Sequence, residues 1–135
     1  MVDTNIIGYL YLNSERSEQA ERALRRDLEW AAPRLWRSEL QNVLAFYLRK
    51  KLLSLENAQQ IMTQALALLE GREYDVPSFS VLRLASESSC TAYDCEFVAL
   101  AQELGVPLVT VDRQVLASFP DVAVDLDRYV SRDKM

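Results

Sequence analysis

The sequence predicts an α/β protein, a three-layer α/β/α sandwich whose central, mostly parallel sheet of about five strands lies between layers of helices. Three observations predict this fold. Short apolar segments alternate along the chain with longer segments of helical period. The clearest strand, residues 106–111, is apolar on both faces, which is typical of a sheet covered by helices on each side. No linker, repeat or low-complexity stretch divides the 135 residues, so we expect a single domain over residues 1–135.

The first half of the chain alternates between the two patterns. We expect a strand at 1–3, a helical turn over 6–12, a helix over 14–28, a strand at 30–32 and a helix over 34–50. In the two longer helices, apolar residues recur every three or four positions among charged ones, as in a helix with one buried face. The segment before Pro33 is short and wholly apolar, which is typical of a buried strand.

Capping signals define the elements of the second half. Ser54 begins a helix as its N-cap, and Gly71 follows where a helix-ending glycine is common. Gly105 ends another helix in the same way. The other expected elements are a strand at 74–76, a helix from 78 towards 88, a helix over 91–104, and strands at 106–111 and 122–124.

Composition excludes several kinds of site. The chain has no histidine, which rules out Ser-His-Asp and Cys-His nucleophile systems and histidine-bearing zinc or haem sites. Its two cysteines, Cys90 and Cys95, are too few for a disulfide scaffold or a four-thiolate metal site, and we expect them to be small apolar residues in a reducing cytosol. A net charge of -5 argues against sequence-independent binding of polyanions.

The sequence also lacks the marks of a membrane or secreted protein. No apolar run approaches the roughly 20 residues that span a bilayer. The first residues have neither the basic region nor the apolar core of a signal peptide. The sequence therefore predicts a soluble, cytoplasmic protein.

Two aspartates follow predicted strands. Asp3 ends the first strand and Asp112 follows the strand at 106–111, so both carboxylates should lie at the same edge of the sheet, where such folds bind ligands. Thr4 and Asn5 come directly after Asp3 and offer a hydroxyl and an amide that can orient a carboxylate or a water. The alternative role is structural, because aspartate caps helices well.

Two further acids lie on or beside inward-facing helix surfaces. Glu39 has apolar residues four positions before and four after it on one helix face, where a carboxylate needs a compensating partner. Asp94 lies on the first turn of its helix, on the face that carries apolar residues. The alternatives are a boundary position for Glu39 and a capping box with Thr91 for Asp94. Glu96, two positions on, is expected to face solvent.

Four carboxylates at one edge of a sheet repel one another, and such repulsion raises carboxylate pKa values. A divalent cation relieves the repulsion, and oxygen ligands suit hard ions such as Mg²⁺ or Mn²⁺. Such ions activate water and stabilise charge on a phosphodiester. The residues alone therefore indicate a metal-dependent phosphoryl-transfer enzyme.

Several segments resemble the PIN-domain family, and within it the VapC-like ribonuclease toxins of prokaryotic toxin–antitoxin systems. The segments are VDTN at 2–5, RSEL at 37–40, TAYDCEFVALAQELGVPLVTVD at 91–112 and DRQVL from 112. The resemblance extends from residue 1 to residue 126 or so, and the order and spacing of the segments are more specific than any of them singly.

The resemblance implies a parallel-sheet α/β/α sandwich and an endoribonuclease that uses Mg²⁺ or Mn²⁺. The family's four acids correspond to Asp3, Glu39, Asp94 and Asp112. The metal is expected on Asp3, Asp94 and Asp112. The family's hydroxyl and amide helpers correspond to Thr4, Asn5 and Thr110. The implied reaction is attack of metal-activated water on an RNA phosphodiester, which leaves a 5′-phosphate and a 3′-hydroxyl.

The resemblance also implies partners. They are an RNA substrate, a cognate antitoxin protein that blocks the acidic site, and a second copy of the chain in a homodimer; no membrane partner is expected. Because the chain is acidic overall, RNA needs a local basic surface. The candidates for that surface are Arg34, Arg37 and Arg113.

Two alternative functions stay open. One is a non-catalytic PIN-like module that binds RNA or protein, which the presence of all four acids argues against. The other is an aspartate-based phosphohydrolase or phosphoacceptor domain. For this alternative, Asp3-Thr4-Asn5 lacks the second acid, two positions on, that the common phosphatase signature requires.

Overall fold

Helices and short strands alternate along the chain in the predicted order. The computed structural model describes residues 1–131; residues 132–135, the end of the expected single domain, lie outside the described part. The elements are α1 (Thr4–Tyr11), α2 (Ser17–Arg26), β1 (Ala32–Pro33), α3 (Trp36–Arg49), α4 (Leu55–Leu68), β2 (Glu73–Tyr74), α5 (Ser78–Ser86), α6 (Ala92–Leu104), β3 (Leu108–Thr110), α7 (Arg113–Ser118), β4 (Ala123–Asp125) and α8 (Leu126–Ser131). Each predicted helix is present, whereas the sequence patterns do not predict α7 and α8.

Side-chain caps fix where several helices begin. The Ser54 hydroxyl accepts a hydrogen bond from the Asn57 N–H at 3.1 Å, and the Thr91 hydroxyl accepts one from the Asp94 N–H at 3.1 Å. α6 ends at Gly105, whose φ of 67° lies in the left-handed region that glycine adopts without strain. The predicted start at Ser54 and stop at Gly105 are confirmed.

The strands are short and pair in parallel, in two groups. β1 pairs with β2, and β3 pairs with β4. An isolated parallel bridge joins Val2 to Val109, so the N-terminal segment lies beside β3. Parallel strands combined with helices are confirmed, but a single sheet of five strands is not, because no backbone hydrogen bond within residues 1–131 joins the two groups.

Pro33 is one physical reason for this break. The N–H groups of Ala32 and Arg34 donate to carbonyl oxygens of residues 72 and 74 at 3.2 and 3.0 Å, so both point towards β2. Pro33 lies between them and turns its backbone to the other edge of β1, where it has no N–H to donate. That edge therefore lacks a donor that a further parallel ladder would need.

The core lies where the helices pack on the strands. Its largest fully buried side chains include Trp30, Trp36, Ile6, Ile7, Leu40, Leu69, Leu108 and Leu126. Cys90 and Cys95 are buried and unbridged, as expected for small core residues. Within residues 1–131, no helix combines the length and the apolar content that crossing a bilayer requires.

Backbone pairing and helix packing bring the predicted site residues together. The Asp3 N–H donates to the carbonyl of Val109 at 3.2 Å, which aligns the end of the N-terminal segment with the end of β3. Asp112 follows the last residue of β3 by two positions. α3 packs on α1, and α6 packs on β3, so the helices that carry Glu39 and Asp94 lie against these two segments.

Candidate active site

The four acids singled out in the sequence line one cavity of about 230 Å³. They come from four separate segments: the N-terminus, α3, the first turn of α6 and the turn after β3. Among the described residues, the lining consists of Asp3, Thr4, Asn5, Glu39, Asn42, Val43, Asp94, Phe97, Leu108, Asp112 and Val115. The structure therefore brings Thr4 and Asn5 to the same place as the acids, and Thr110 lies beside it through its contact with Asp3.

Asp3 is held by the start of α1 and by β3. Its carboxylate accepts a hydrogen bond from the Ile6 N–H at 3.3 Å, which makes it the N-cap of α1. The fully buried Thr110 hydroxyl donates to the other carboxylate oxygen. The same hydroxyl accepts a hydrogen bond from the Asp112 N–H at 3.0 Å. Thr110 thus couples the positions of Asp3 and Asp112.

Glu39 is held from a different element. The Thr4 hydroxyl, which is buried, donates to a carboxylate oxygen of Glu39 at 2.7 Å. This contact is the compensating partner that a carboxylate on an inward-facing helix surface needs. It also fixes α3 against the first turn of α1.

Asp94 and Asp112 each serve a helix start as well as the cavity. The Thr91 hydroxyl accepts from the Asp94 N–H, and hydrogen bonding with Thr91 also lowers the pKa of the Asp94 carboxyl group, as the capping box expected as the structural alternative requires. Asp112 caps α7, accepting from the N–H groups of Gln114 and Val115 at 2.9 and 3.1 Å. Capping and cavity lining coexist here, because a carboxylate has two oxygens and several lone pairs.

The electrostatics of the cavity disfavour so many negative charges. The pKa of Asp3 is raised to about 6; burial is the largest cause, the hydrogen bonds from Thr110 and the Ile6 N–H act against it, and the charges of Asp112 and Glu39 add to the rise. Burial also raises the pKa of Glu39, with contributions from Asp94 and Glu96. Burial and then the charge of Asp112 raise the pKa of Asp94. Among residues 1–131, no cationic side chain lowers the pKa of any of these three carboxylates.

Glu96 is not part of the cavity lining, and its side chain is partly buried. Burial raises its pKa. Its charge reaches Glu39, whose pKa it raises. The expected orientation of Glu96 towards solvent stays a prediction. Its charge nevertheless influences the site through the pKa of Glu39.

The donor set of the cavity fits a hard divalent ion. It consists of carboxylate, hydroxyl and amide oxygens, without a nitrogen or sulfur ligand or a lysine or arginine among the described lining residues. Within residues 1–131, no group of three acidic or cysteine side chains is arranged to hold a metal ion directly. An ion here would take one or two carboxylates directly and the rest through water or substrate oxygens, as Mg²⁺ commonly does.

The three arginines predicted to contact RNA do not line the cavity. Arg34 pairs with Asp75 at 3.3 Å, and both side chains are largely exposed. Arg37 makes a two-pronged contact with Glu73, whose side chain is 11% exposed and also accepts from the indole N–H of Trp36. Arg113 is exposed, next to Asp112.

Two polar residues stand outside the set that the sequence patterns indicate, one in the cavity lining and one on α7 beside Asp112. Asn42 lines the cavity three positions after Glu39, a spacing that places both on one helix face. Gln114 donates from its amide to the carbonyl and hydroxyl oxygens of Ser89, at 2.8 Å each, and so connects α7 with the loop before α6. The helical spacing could have identified Asn42, whereas nothing in the sequence pattern indicates the contact of Gln114.

Nearly the whole chain is similar to known proteins. The family model of the PIN domain matches residues 1–123. Ribonuclease VapC3 of Pyrobaculum aerophilum is 34% identical over 123 residues, which cover 89% of this chain and 94% of that protein. The crystal structure of PAE2754 from Pyrobaculum aerophilum has a TM-score of 0.71 at 24% identity and covers 97% of this chain and 92% of that chain; this likeness supports the fold alone. The chain belongs to the PIN domain family.

Proposed function

We propose that this protein is a VapC-like toxin, an endoribonuclease that hydrolyses RNA phosphodiester bonds with a divalent ion, Mg²⁺ or Mn²⁺. The observation that carries the proposal is the convergence of four carboxylates from separate segments on one cavity whose described lining has no lysine or arginine. Membership of the PIN domain family and the similarity to ribonuclease VapC3 support the choice of RNA as substrate.

Asp3, Asp94 and Asp112 would hold the ion, directly or through water. When bound, a divalent ion activates water and stabilises the negative charge that develops on a phosphodiester. The raised pKa values of Asp3 and Asp94 support this assignment, because a cation is the neighbour that favours their ionised forms.

The other predicted residues position these ligands and the substrate. Thr110 joins the Asp3 carboxylate to the Asp112 backbone, so it sets the distance between two of the ligands. Thr4 orients Glu39, whose carboxylate faces the cavity as a fourth acid. Asn5 offers an amide at the same wall. We infer that these residues bind and orient, and that the acids hold ions rather than transfer protons.

Outside the cavity, Arg113 is the best placed of the three arginines to bind RNA, because it is exposed beside Asp112. Arg34 and Arg37 would reach RNA only in addition to their contacts with Asp75 and Glu73. A cognate antitoxin that covers the acidic cavity, a homodimer and a cytoplasmic location complete the proposal. So does a single PIN-like domain over residues 1–135 whose two strand groups lie in one central layer between the helices.

RNA cleavage tests the proposal. A panel of defined RNAs is incubated with wild type, Asp3→Asn, Asp94→Asn and Glu103→Gln, with Mg²⁺, with Mn²⁺ and with EDTA. Glu103 is a matched control, because it is an exposed acid on the same helix as Asp94 and lies outside the cavity. We expect metal-dependent cleavage by wild type and Glu103→Gln, and loss of turnover by orders of magnitude in the two aspartate variants.

Equal, metal-independent cleavage by all four proteins would point to a contaminating nuclease and reject the proposal. One observation favours a non-catalytic PIN-like binding module as the second candidate, namely that no three acids of residues 1–131 are arranged to hold an ion directly. RNA binding without cleavage, unaffected by Mg²⁺ or Mn²⁺, would decide for that module.

A further inference from the structure

We propose that the side-chain amide of Asn42 binds a non-bridging phosphate oxygen of the RNA strand at the mouth of the acid cavity. This inference rests on the proposed function and names a substrate-binding residue for it. Asn42 is exposed and lines the cavity from α3, three residues after Glu39. Side chains at this spacing are neighbours on a helix surface, so a group held beside Glu39 also meets Asn42.

The cavity has a surplus of hydrogen-bond acceptors. Four carboxylates line it, and the described lining contains neither lysine nor arginine. A ribose hydroxyl can donate to any of these carboxylates and needs no amide. A phosphate can only accept, and it is repelled by the acids, so it needs a donor from the protein in addition to any bound ion.

Few side-chain donors are left to meet that need. The Thr4 hydroxyl already donates to Glu39 at 2.7 Å. The remaining donors of the described lining are the amides of Asn5 and Asn42. Within residues 1–131, the Asn42 side chain makes no hydrogen bond. Its two N–H groups are therefore available to a ligand, and its exposure places it where a polymer strand enters.

Replacing the amide by a carboxylate separates this role from a structural one. Asn42→Asp keeps the size of the side chain but removes both donors and adds a fifth negative charge at the cavity. Asn42→Ala removes the donors without adding charge. Gln41→Glu is the matched control, because Gln41 is the adjacent exposed amide on α3, lies outside the cavity and gains the same charge.

The test measures RNA affinity and steady-state kinetics. Anisotropy of a fluorescein-labelled, mixed-sequence single-stranded RNA in MgCl₂ gives Kd in an Asp94→Asn background, where cleavage is suppressed. We expect Asn42→Asp to raise Kd about tenfold and Asn42→Ala about threefold, which is the range for the net contribution of one typical hydrogen bond. We expect Gln41→Glu to leave Kd unchanged. On the RNA that wild type cleaves fastest, the loss should fall on KM, with kcat within about twofold.

An Asn42→Asp protein that binds RNA as tightly as Gln41→Glu overturns the assignment. So does a loss confined to kcat with KM unchanged. Melting curves exclude misfolding as the cause of weaker binding. The nuclease proposal fails on a different result, which is the absence of RNA cleavage by the wild type. The comparison of Kd values tests the role of Asn42 in that case too.

Discussion

The Thr4 hydroxyl donates a hydrogen bond of 2.7 Å to the carboxylate of Glu39, across 35 positions of sequence. It joins the first turn of α1 to α3 at the wall of the acid cavity. Thr4 is buried and Glu39 is half-buried, so the contact is partly shielded from competing water. The Glu39 carboxylate, on an inward-facing helix surface, therefore has a hydrogen-bond donor that offsets the cost of its partial burial.

Removing this hydroxyl should weaken both the fold and the site. Thr4→Val keeps the shape of the side chain but leaves the Glu39 carboxylate without its donor. We expect the free energy of unfolding to fall by about 1 kcal/mol and RNA cleavage to fall about tenfold, because Glu39 loses its orientation. Urea unfolding and kcat measurements check the two effects. Thr4→Ser should restore both, and a Thr4→Val enzyme with wild-type kcat would contradict the role of the contact.

The pKa of Asp3 predicts a pH-dependent cost to stability in the absence of metal. The pKa is raised from 3.8 to about 6 in the folded protein, so the folded state holds this proton more tightly than the unfolded state. The stability that protonated Asp3 contributes is present below pH 3.8 and is lost as the pH rises through about 6. The loss amounts to about 3 kcal/mol, since each pKa unit corresponds to about 1.4 kcal/mol.

Asp3→Asn removes this titration and retains a side chain that caps helices well. In EDTA, we therefore expect Asp3→Asn to be more stable than wild type at pH 7.5, and the difference to shrink towards pH 4. Urea unfolding of both proteins at the two pH values measures it. A stability difference that is the same at both pH values would show that the pKa of Asp3 is not raised in the folded protein.

The arginines should separate into structural and RNA-binding residues. Arg37→Gln breaks a two-pronged ion pair and leaves the Glu73 carboxylate with the indole N–H of Trp36 as its remaining side-chain donor among the described residues, so we expect the free energy of unfolding to fall. Arg113→Gln removes an exposed charge and should leave stability within about 0.5 kcal/mol.

RNA affinity measured against salt concentration checks the second half of this prediction. Arg113→Gln should weaken RNA binding. It should also make the dependence of log Kd on log salt concentration shallower, by the amount expected for about one lost phosphate contact. If Arg37→Gln weakened RNA binding more than Arg113→Gln did and left stability unchanged, Arg37 would be the RNA-binding residue of the two.

Local patterns predicted most of the helices because their signals are short-range. Apolar period, the cap at Ser54 and the stop at Gly105 each depend on neighbours within a few residues. α7 and α8 have six residues each, less than two turns, so their apolar positions do not repeat often enough to show a period. The cap at Asp112 is the signal that could have indicated α7.

The grouping of the four acids was predictable, whereas their partners were not. Strand ends place Asp3 and Asp112 at one edge by a general rule of parallel sheets. The contacts of Thr110 with Asp3 and of Thr4 with Glu39 depend on side-chain geometry across distant segments, which no local pattern encodes. The separation into two strand groups likewise depends on which edge of β1 the N–H-lacking Pro33 faces.

The most direct test of the central claim is calorimetric titration of Mn²⁺ into the metal-free protein. The claim predicts saturable binding to wild type and to Glu103→Gln, and affinity weakened about tenfold or more in Asp94→Asn, as for loss of a ligand or its support. Binding that is absent from wild type, or equal in all three proteins, would contradict the assignment of the acid cavity as a divalent-ion site.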